Sequence, residues 1–369
     1  MAKNNTYLKN TLNLLMFLIV LFSVSSSVFA DSTNSLWGLQ QKVTAAVLDR
    51  KEEYAIKYTG NNIPSKYQIR TVLQNAINVD DYIHYNIDTY AYEGTGYKGN
   101  YNLKFSFQYH ETLAETAAVN AKIKSVLAEL GVQNMNEYQK EKAIHDWIVS
   151  HVAYDTTYTR NTAYDAITPP YTTVCQGYSL LAHKMFKSAG LSSRIIVGYS
   201  KGQSHSWNLV KVDGRWYQID LTWNDPVPDE NGRVVYDYFN LTDTEMKSNH
   251  LWSGNYPAAN SEFSNVLKLK ILNDPAKKDI YQKLLSVISA DINEISSSSE
   301  IKSKVKNAIN TGKTTVKFLL ADKYSMASYI NEAMRDLRIG IKYSYKYSDY
   351  LRTENPNDVL IDFKIESLN

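Results

Sequence analysis

The alternation of apolar and polar residues predicts a small α/β module between residues about 36 and 109. Apolar positions recur at helical spacing after Leu36 and again after Tyr67. Three further segments are strand-like, at residues 54–58, 82–87 and 101–107. The predicted order of elements is therefore α-β-α-β-β.

The C-terminal part of the chain predicts the same order a second time. Its segments are a helix at residues 301–309, a strand at 316–320, a helix that opens at Lys323, and a hairpin of residues 339–343 and 359–363. We interpret residues about 36–109 and 301–365 as two copies of one module. A chance similarity of two α/β segments is the alternative.

The residues between the copies have a different pattern. Helical periodicity covers residues 111–130 and 136–152, and an irregular segment rich in Thr, Tyr and Pro follows at 154–173. Two alternating segments, 204–212 and 215–223, then flank Asp213-Gly214, which is the strongest signal for a two-residue hairpin turn. This region predicts helices followed by an antiparallel hairpin.

The first thirty residues resemble an export signal. Lys3 and Lys9 precede an apolar run from Leu12 to Val24, and small residues lead to Ala30. The apolar run is shorter than the roughly 20 residues of a membrane span, although an uncleaved anchor is the alternative. The predicted divisions are a signal peptide (1–30), an N-terminal α/β module (31–110), a central core (111–265) and a C-terminal α/β module (266–369).

Composition narrows the class of protein. The chain has 369 residues, 40 Lys and Arg against 38 Asp and Glu, and one cysteine. The sequence contains no long run of residues of one charge, so we predict that the protein does not bind nucleic acid. One cysteine excludes an intramolecular disulfide. His145 and His151 are six residues apart and do not share a helix face, so a zinc pair is not predicted.

The single cysteine lies where a helix is predicted to begin. Cys175 follows a loop that contains Pro169 and Pro170, and it precedes a helical pattern that stops at Gly190. A helix N-terminus favours the thiolate and offers free N–H groups to an oxyanion. A buried, unreactive cysteine can also begin a helix, so the position alone does not decide.

The hairpin predicts a histidine beside an acid. With a two-residue turn at Asp213-Gly214, Val212 faces Arg215 and His205 faces Thr222. Asp220 then projects from the same face, as a diagonal neighbour within reach of His205. A thiol, an imidazole and an orienting carboxylate form the arrangement of acyl-transfer catalysis. We predict Cys175, His205 and Asp220 as catalytic residues, whereas taken singly His205 and Asp220 are ordinary strand residues.

Three sequence motifs resemble the transglutaminase-like superfamily, in particular its bacterial secreted branch. They are Val174-Cys175-Gln176-Gly177-Tyr178, His205-Ser206-Trp207-Asn208, and Asp220-Leu221-Thr222-Trp223-Asn224-Asp225. Supporting marks are Tyr154-Asp155, the segment from Ala189 to Gly198, and Tyr238-Phe239-Asn240 with His250 downstream. The resemblance covers residues about 111–260.

The resemblance implies a papain-like α+β core, in which a helix-borne cysteine packs on an antiparallel sheet, flanked here by the two repeated α/β modules. Cys175, His205 and Asp220 map onto the catalytic positions of the family. Members include cross-linking transglutaminases, deamidases, peptide N-glycanases and cysteine peptidases, and some relatives lack the triad. No cofactor or metal is implied. Candidates for the second oxyanion donor are Gln176, Tyr154 and Trp207.

We therefore expect a secreted or extracellular thiol enzyme that transfers acyl groups from amide bonds of proteins or peptides, the cell surface and cell wall included. The acyl acceptor is an amine or water, which leaves transglutaminase, deamidase and peptidase outcomes open. After cleavage of the signal we expect no membrane span. The alternative is a non-catalytic protein that binds a cell wall or surface through its flanking modules. The sequence does not predict an oligomeric state.

Overall fold

A computed structural model describes residues 31–97, 99–225, 227–228, 234–288, 294–337, 340–349 and 357–368. The predicted signal peptide, residues 1–30, lies outside the described residues. Within the described ranges, no helix combines the length and the apolar content needed to cross a membrane.

The N-terminal module is a four-stranded sheet covered by helices. Its elements are β1 (Ser32–Thr33), α1 (Leu36–Leu48), β2 (Glu53–Tyr58), α2 (Lys66–Ile77), α3 (Asp81–His84), β3 (Ile87–Tyr97) and β4 (Asn100–Tyr109). The strand order is β1-β2-β4-β3, and β1 pairs in parallel while the other pairs are antiparallel. Helix α2 begins with a capping box of Ser65 and Gln68. Alternate residues of β2 and β4, such as Ile56 and Phe105, face the helices in one buried cluster.

One predicted strand of this module is in part a helix. Residues 82–87 alternate as a strand does, but Asp81–His84 form α3 and β3 begins only at Ile87. The cause is local, because the Asp80 side chain accepts a hydrogen bond from the Tyr82 N–H at 2.9 Å and caps the helical turn. The strand prediction was therefore wrong for residues 82–86.

The central core combines helices with a second four-stranded sheet. Its elements are α4 (Leu113–Glu129), α5 (Glu137–His151), β5 (Ala153–Tyr154), α6 (Ala163–Ile167), β6 (Thr172–Thr173), α7 (Cys175–Ser188), β7 (Ser192–Ser200), β8 (Gln203–Val212), β9 (Arg215–Ile219), α8 (Asp243–Met246), β10 (His250–Trp252), α9 (Phe263–Asn273) and α10 (Lys278–Ile288). Single 3-10 turns lie at Val132–Asn134 and Pro275–Lys277. The sheet has the order β10-β7-β8-β9 and is antiparallel throughout. The chain is thus α+β, and the cysteine-bearing helix packs on an antiparallel sheet.

The two faces of the core sheet have different partners. Ile195, Val210 and Ile219 belong to the large cluster that includes helices α4, α5 and α7. Ile196 on β7 and Trp207 on β8 are paired, and their side chains point to the other face of the sheet, where they belong to a smaller cluster. Both faces are therefore covered, and side chains of β8 can reach either one.

The C-terminal module has the topology of the first. Its elements are β11 (Glu294–Ile295), α11 (Ser298–Asn310), β12 (Thr315–Leu320), α12 (Met326–Leu337), β13 (Ile341–Asp349) and β14 (Val359–Leu368). The strand order β11-β12-β14-β13, with a short parallel first strand, matches that of the N-terminal sheet. Helix α12 begins at Met326, one turn after the predicted start at Lys323. The shared order is what two copies of one module require.

The border between the core and the C-terminal module lies later than residue 265. That predicted border falls inside helix α9. Phe263, Leu267 and Tyr281 belong to the buried cluster of the core, and so does Ile288 at the end of α10. Helices α9 and α10 therefore pack as part of the core.

Candidate active site

The single cysteine occupies the first position of helix α7. Its side chain is half-buried, and Val174 before it provides no side-chain hydrogen bond to the helix end. The partial positive charge of the first helical turn therefore acts on the thiol. Ser179 fixes this turn by donating a hydrogen bond from its hydroxyl to the Cys175 carbonyl oxygen at 2.6 Å.

Gly177 allows the helix to begin at this place. A Cβ atom on Gly177 would lie 2.6 Å from the carbonyl oxygen of Thr162, closer than Cβ atoms approach other atoms in proteins. It would also collide with the side chain of Thr173. The start of α7 thus rests directly on the preceding loop, and this close approach sets the position of the thiol.

His205 and Asp220 meet as a buried pair. The distance from His205 Nε2 to Asp220 Oδ2 is 2.6 Å. Asp220 is fully buried, and its other oxygen, Oδ1, accepts a hydrogen bond from the Trp223 N–H at 3.1 Å. Burial alone would raise the pKa of Asp220, but the charge and hydrogen bond of His205 hold that pKa well below its usual range. The carboxylate is therefore the ionised partner of the imidazole.

The hairpin that brings these residues together is shorter than predicted. Val212 pairs with Arg215 and Asn208 with Ile219, as the two-residue turn requires. Strand β9 then ends at Ile219, so the predicted pair of His205 and Thr222 does not form. The chain turns there because the Asp220 carboxylate accepts from the Trp223 N–H. Asp220 still reaches His205 from this turn.

The thiol and the imidazole form the other half of the arrangement. Cys175 and His205 line the same pocket, and the imidazole stabilises the thiolate through a hydrogen bond and through its charge. Burial opposes ionisation of the thiol, but His205 and the Ser206 N–H and hydroxyl outweigh it, so the pKa of Cys175 is lowered. Burial likewise disfavours the imidazolium, yet Asp220 raises the pKa of His205 to about 10. Both shifts favour a thiolate beside an imidazolium.

A second histidine shares the carboxylate. His250, the first residue of β10, is fully buried, and its Nε2 lies 3.0 Å from Asp220 Oδ2. Its Nδ1 lies 2.6 Å from the side-chain oxygen of Asn249. Asp220 Oδ2 therefore faces two imidazole nitrogens. Spacing along the chain gives no signal for this contact, and the resemblance alone had pointed to His250.

These contacts also bear on metal binding. Ligand atoms of His205, Asp220 and His250 lie within 4.8 Å of one another. Zinc stands about 2.0–2.2 Å from nitrogen and oxygen ligands, so an ion between these atoms would have to separate them. At 2.6 and 3.0 Å, the nitrogens instead hydrogen-bond the shared oxygen.

Two of the three candidate oxyanion donors are engaged elsewhere. Trp207 Nε1 donates to the side-chain oxygen of Gln218 at 2.7 Å, and Gln176 Nε2 donates to the Tyr85 carbonyl oxygen at 3.1 Å. Tyr154 is half-buried at the end of β5. Burial, followed by the nearby charge of Cys175, raises the pKa of its phenol to about 12. Tyr154 therefore keeps its proton near the sulfur.

His145 lies deep in the core. It is fully buried on α5, with Nδ1 3.0 Å from Asp146 Oδ1 and Nε2 3.0 Å from the Asn224 side-chain nitrogen. The Asn224 N–H in turn donates to the Asp220 carbonyl oxygen at 3.2 Å. His145 thus supports the turn that carries Asp220, while His151 is exposed at the end of α5.

A family model and two curated relatives each match part of the chain. Residues 124–221 match the family model of the transglutaminase-like superfamily. The kyphoscoliosis peptidases of Mus musculus and Homo sapiens are 28% and 27% identical to this chain over 140 residues. Each alignment covers 33% of this chain and 21% of the peptidase, so the chain spans about a fifth of the length of these curated relatives.

Two solved structures are similar at lower identity. A crystal structure of a TGase is 18% identical, with a TM-score of 0.28 over 46% of this chain and 51% of that chain. A candidate cysteine protease from Cytophaga hutchinsonii is 16% identical, with a TM-score of 0.25 over 39% of this chain and 68% of that chain. The family match includes Cys175, His205 and Asp220, and it identifies residues 124–221 as a domain of the transglutaminase-like superfamily.

Proposed function

We propose that the protein is a secreted thiol enzyme that performs acyl transfer on amide bonds of proteins or peptides. Cys175 is the nucleophile, His205 the acid and base, and Asp220 the residue that orients His205. One observation carries the proposal, namely the buried 2.6 Å contact of His205 Nε2 with Asp220 Oδ2, in a pocket that the imidazole lines together with Cys175. This arrangement supplies a nucleophile, a proton carrier and a fixed orientation.

The reaction follows from these roles. The Cys175 thiolate attacks the carbonyl carbon, and His205 gives its proton to the leaving nitrogen as the C–N bond breaks. Ammonia or an amine leaves, and the acyl group stays on sulfur as a thioester. A water molecule or an amine then attacks the thioester while His205 takes its proton. The product is released, and the thiolate and imidazolium are restored.

The negative oxygen of the tetrahedral intermediate needs hydrogen-bond donors. The candidates are the N–H groups of the first turn of α7 and the hydroxyl of Tyr154, which keeps its proton beside the charge of Cys175. The indole of Trp207 is less suitable, because its single N–H is already donated to Gln218. We therefore assign the second donor to Tyr154.

The acyl acceptor we test first is water. The matched relatives are named peptidases, and peptide hydrolysis uses the same acylation step as cross-linking. Purified protein is incubated with a glutamine-containing peptide, with and without a primary amine, and the products are weighed by mass spectrometry. Cleavage, loss of ammonia or incorporation of the amine supports the proposal, provided that Cys175→Ala shows none of them. Equal products from both proteins would refute it.

Secretion is the part of the proposal that depends on residues 1–30. Expression in a bacterial host with an intact export pathway should yield exported protein whose first residue is Asp31. N-terminal sequencing checks this, and protein that keeps Met1 and stays in the cytoplasm contradicts it.

A binding protein without catalysis is the second candidate. Exposed aromatic side chains on the flanking modules favour it, since Trp37 is 74% exposed and Tyr67 and Tyr324 are both 79% exposed. Sedimentation with isolated cell walls tests binding. Binding by Cys175→Ala together with no turnover by the wild type would favour this candidate over the enzyme.

A further inference from the structure

A small pocket opens beside the sulfur of Cys175. It has a volume of about 150 Å³, and its walls come from α7, β7, β8 and the segment after α3. Apolar groups dominate these walls, with Leu180 from α7 and Ile195 and Val197 from β7, and Tyr85 contributes the wall that comes from the N-terminal module. A volume below the roughly 300–1,000 Å³ of sites for drug-sized ligands has room for about one side chain.

One wall of the pocket belongs to the N-terminal module and is held firmly. The Tyr85 carbonyl oxygen accepts from Gln176, the residue after the cysteine, at 3.1 Å. The Asp81 carboxylate accepts from Arg194 Nε and from the Ile195 N–H, each at 2.7 Å. The segment that carries Tyr85 is thus bonded to both α7 and β7, which form the remainder of the pocket.

The charge of the pocket selects among side chains. Of the lining residues, Cys175 and His205 carry charge, as a thiolate beside an imidazolium. The lining residues that the structure describes therefore offer no unpaired charge to a charged occupant, whose desolvation would be uncompensated. An apolar occupant gains from burial against Leu180, Ile195 and Tyr85.

We propose that this pocket binds one uncharged apolar side chain of the substrate, next to the attacked carbonyl group, and that Tyr85 limits its size. The inference rests on the proposed function, because it takes Cys175 as the nucleophile. It adds that the N-terminal module takes part in substrate selection.

The test uses N-acetyl-aminoacyl chloromethyl ketones with leucine, phenylalanine, lysine or glutamate side chains. The rate of Cys175 labelling is followed by intact mass, and iodoacetamide serves as a reagent that does not use the pocket. We expect the leucine probe to react at least about tenfold faster than the lysine and glutamate probes, within the range that a pocket contributes to discrimination.

Two substitutions in the pocket and one control outside it make the assignment specific. Val197→Asp places a carboxylate in the wall and should raise the rate of the lysine probe relative to the leucine probe. Tyr199→Asp, an exposed position two residues further along the same strand and outside the pocket, is the matched control and should not. Tyr85→Ala enlarges the pocket and should shift the preference from leucine towards phenylalanine.

The outcomes separate the two proposals. Fast reaction with iodoacetamide but equal rates for all four probes overturns the pocket assignment and leaves the thiol chemistry standing. A slow reaction with every reagent, or one that requires unfolding, overturns the proposed function. A change in preference that is the same in Val197→Asp and Tyr199→Asp also overturns the pocket assignment. Thermal unfolding of each variant shows whether a lost rate reflects lost folding.

Discussion

The two flanking modules have the same strand order but differ in the segment between the second long helix and the strand that follows it. In the N-terminal module nine residues, Asn78–Asn86, separate α2 from β3 and include α3. In the C-terminal module three residues separate α12 from β13. Tyr82, from the longer segment, belongs to the buried cluster of the core, whereas the cluster of the C-terminal module consists of that module's own residues as far as the structure describes them.

The longer segment is what connects a module to the active site. Asp80 forms an ion pair with Lys187 on α7, and its Oδ2 lies 3.5 Å from Nε2 of His183 on the same helix. Burial would raise the pKa of Asp80, but these two partners lower it. Asp81 contacts β7. Tyr85 contacts Gln176, the residue next to Cys175. A longer segment on a common scaffold can thus add a wall to a neighbouring candidate active site.

Substitutions in the proposed triad give the largest expected loss of turnover. The losses caused by changes in the two modules are measured against it. Cys175→Ala should abolish amide turnover, and His205→Ala should lose nearly as much. Asp220→Ala should cost on the order of 10²–10⁴ in turnover, since it leaves the imidazole without an orienting partner. Peptide assays on folded protein, checked by circular dichroism, measure the ranking. Full activity of the His205 and Asp220 variants would contradict the triad.

His250 tests how much a positioning residue inside the core contributes. A hydrogen bond to a charged group is worth about 1.5–3 kcal/mol, so His250→Phe should lower turnover by about 10- to 100-fold. With one donor lost, Asp220 holds His205 less firmly, and the pKa of Cys175 should rise towards its ordinary value. The pH dependence of iodoacetamide labelling measures that rise. His250→Gln keeps an N–H donor and should restore much of the turnover and of the lowered pKa of Cys175. If His250→Gln restores no turnover and His250→Phe leaves the pKa of Cys175 unchanged, His250 does not position the pair.

Asp81 and Asp322 compare the two modules directly. Asp81→Ala removes the acceptor for Arg194 and for the Ile195 N–H, so kcat/KM for a leucine-containing peptide should fall by roughly tenfold, the worth of about 1.4 kcal/mol. Asp322, in the C-terminal module, instead makes a contact within its own module, where it accepts from the Ser325 hydroxyl at 2.6 Å. Asp322→Ala should leave kcat/KM unchanged. Equal losses in both variants would remove the distinction between the modules.

Glu141 should have the smallest effect on turnover and a clear effect on stability. It is fully buried on α5, and burial raises its pKa to about 8 from the usual 4.5. The folded protein therefore holds this proton more tightly than the unfolded chain does. The stability that protonated Glu141 contributes is fully present below about pH 4.5. The free energy of unfolding then falls by up to about 1.4 kcal/mol per pH unit as the pH rises to about 8.

Glu141→Gln removes this dependence, because the amide does not titrate. Urea unfolding between about pH 5 and about pH 8 should show a flatter profile for the variant, with unchanged turnover. A profile that keeps the slope of the wild type means that Glu141 is not its source. The Asn240 side chain, which donates to Glu141 Oε2 at 2.8 Å, remains a partner in both proteins.

Local patterns predicted most of the elements, because periodicity reports which face of a helix or strand is buried. They failed at residues 82–86, where one capping contact of Asp80 makes a short helix out of an alternating sequence. They also failed at the end of β9, where the carboxylate of Asp220 turns the chain. Such contacts involve single side chains and leave the surrounding pattern unchanged.

The candidate site was predictable only in part for a related reason. Cys175 was found from its helix start, and the pair of His205 and Asp220 from the geometry of one hairpin. Tyr85 is 90 residues before Cys175 and His250 is 30 residues after Asp220, and in both cases packing of separate elements makes the contact. Periodicity within one segment carries no information about such distances.

The divided pocket has a thermodynamic consequence. A side chain that touches both Tyr85 and Leu180 binds only when the N-terminal module is docked on the core. By linkage, whatever factor docking adds to the affinity for substrate, substrate adds equally to the equilibrium constant for docking. Occupancy of the active site and the joining of the two folding units are then two measures of the same free energy.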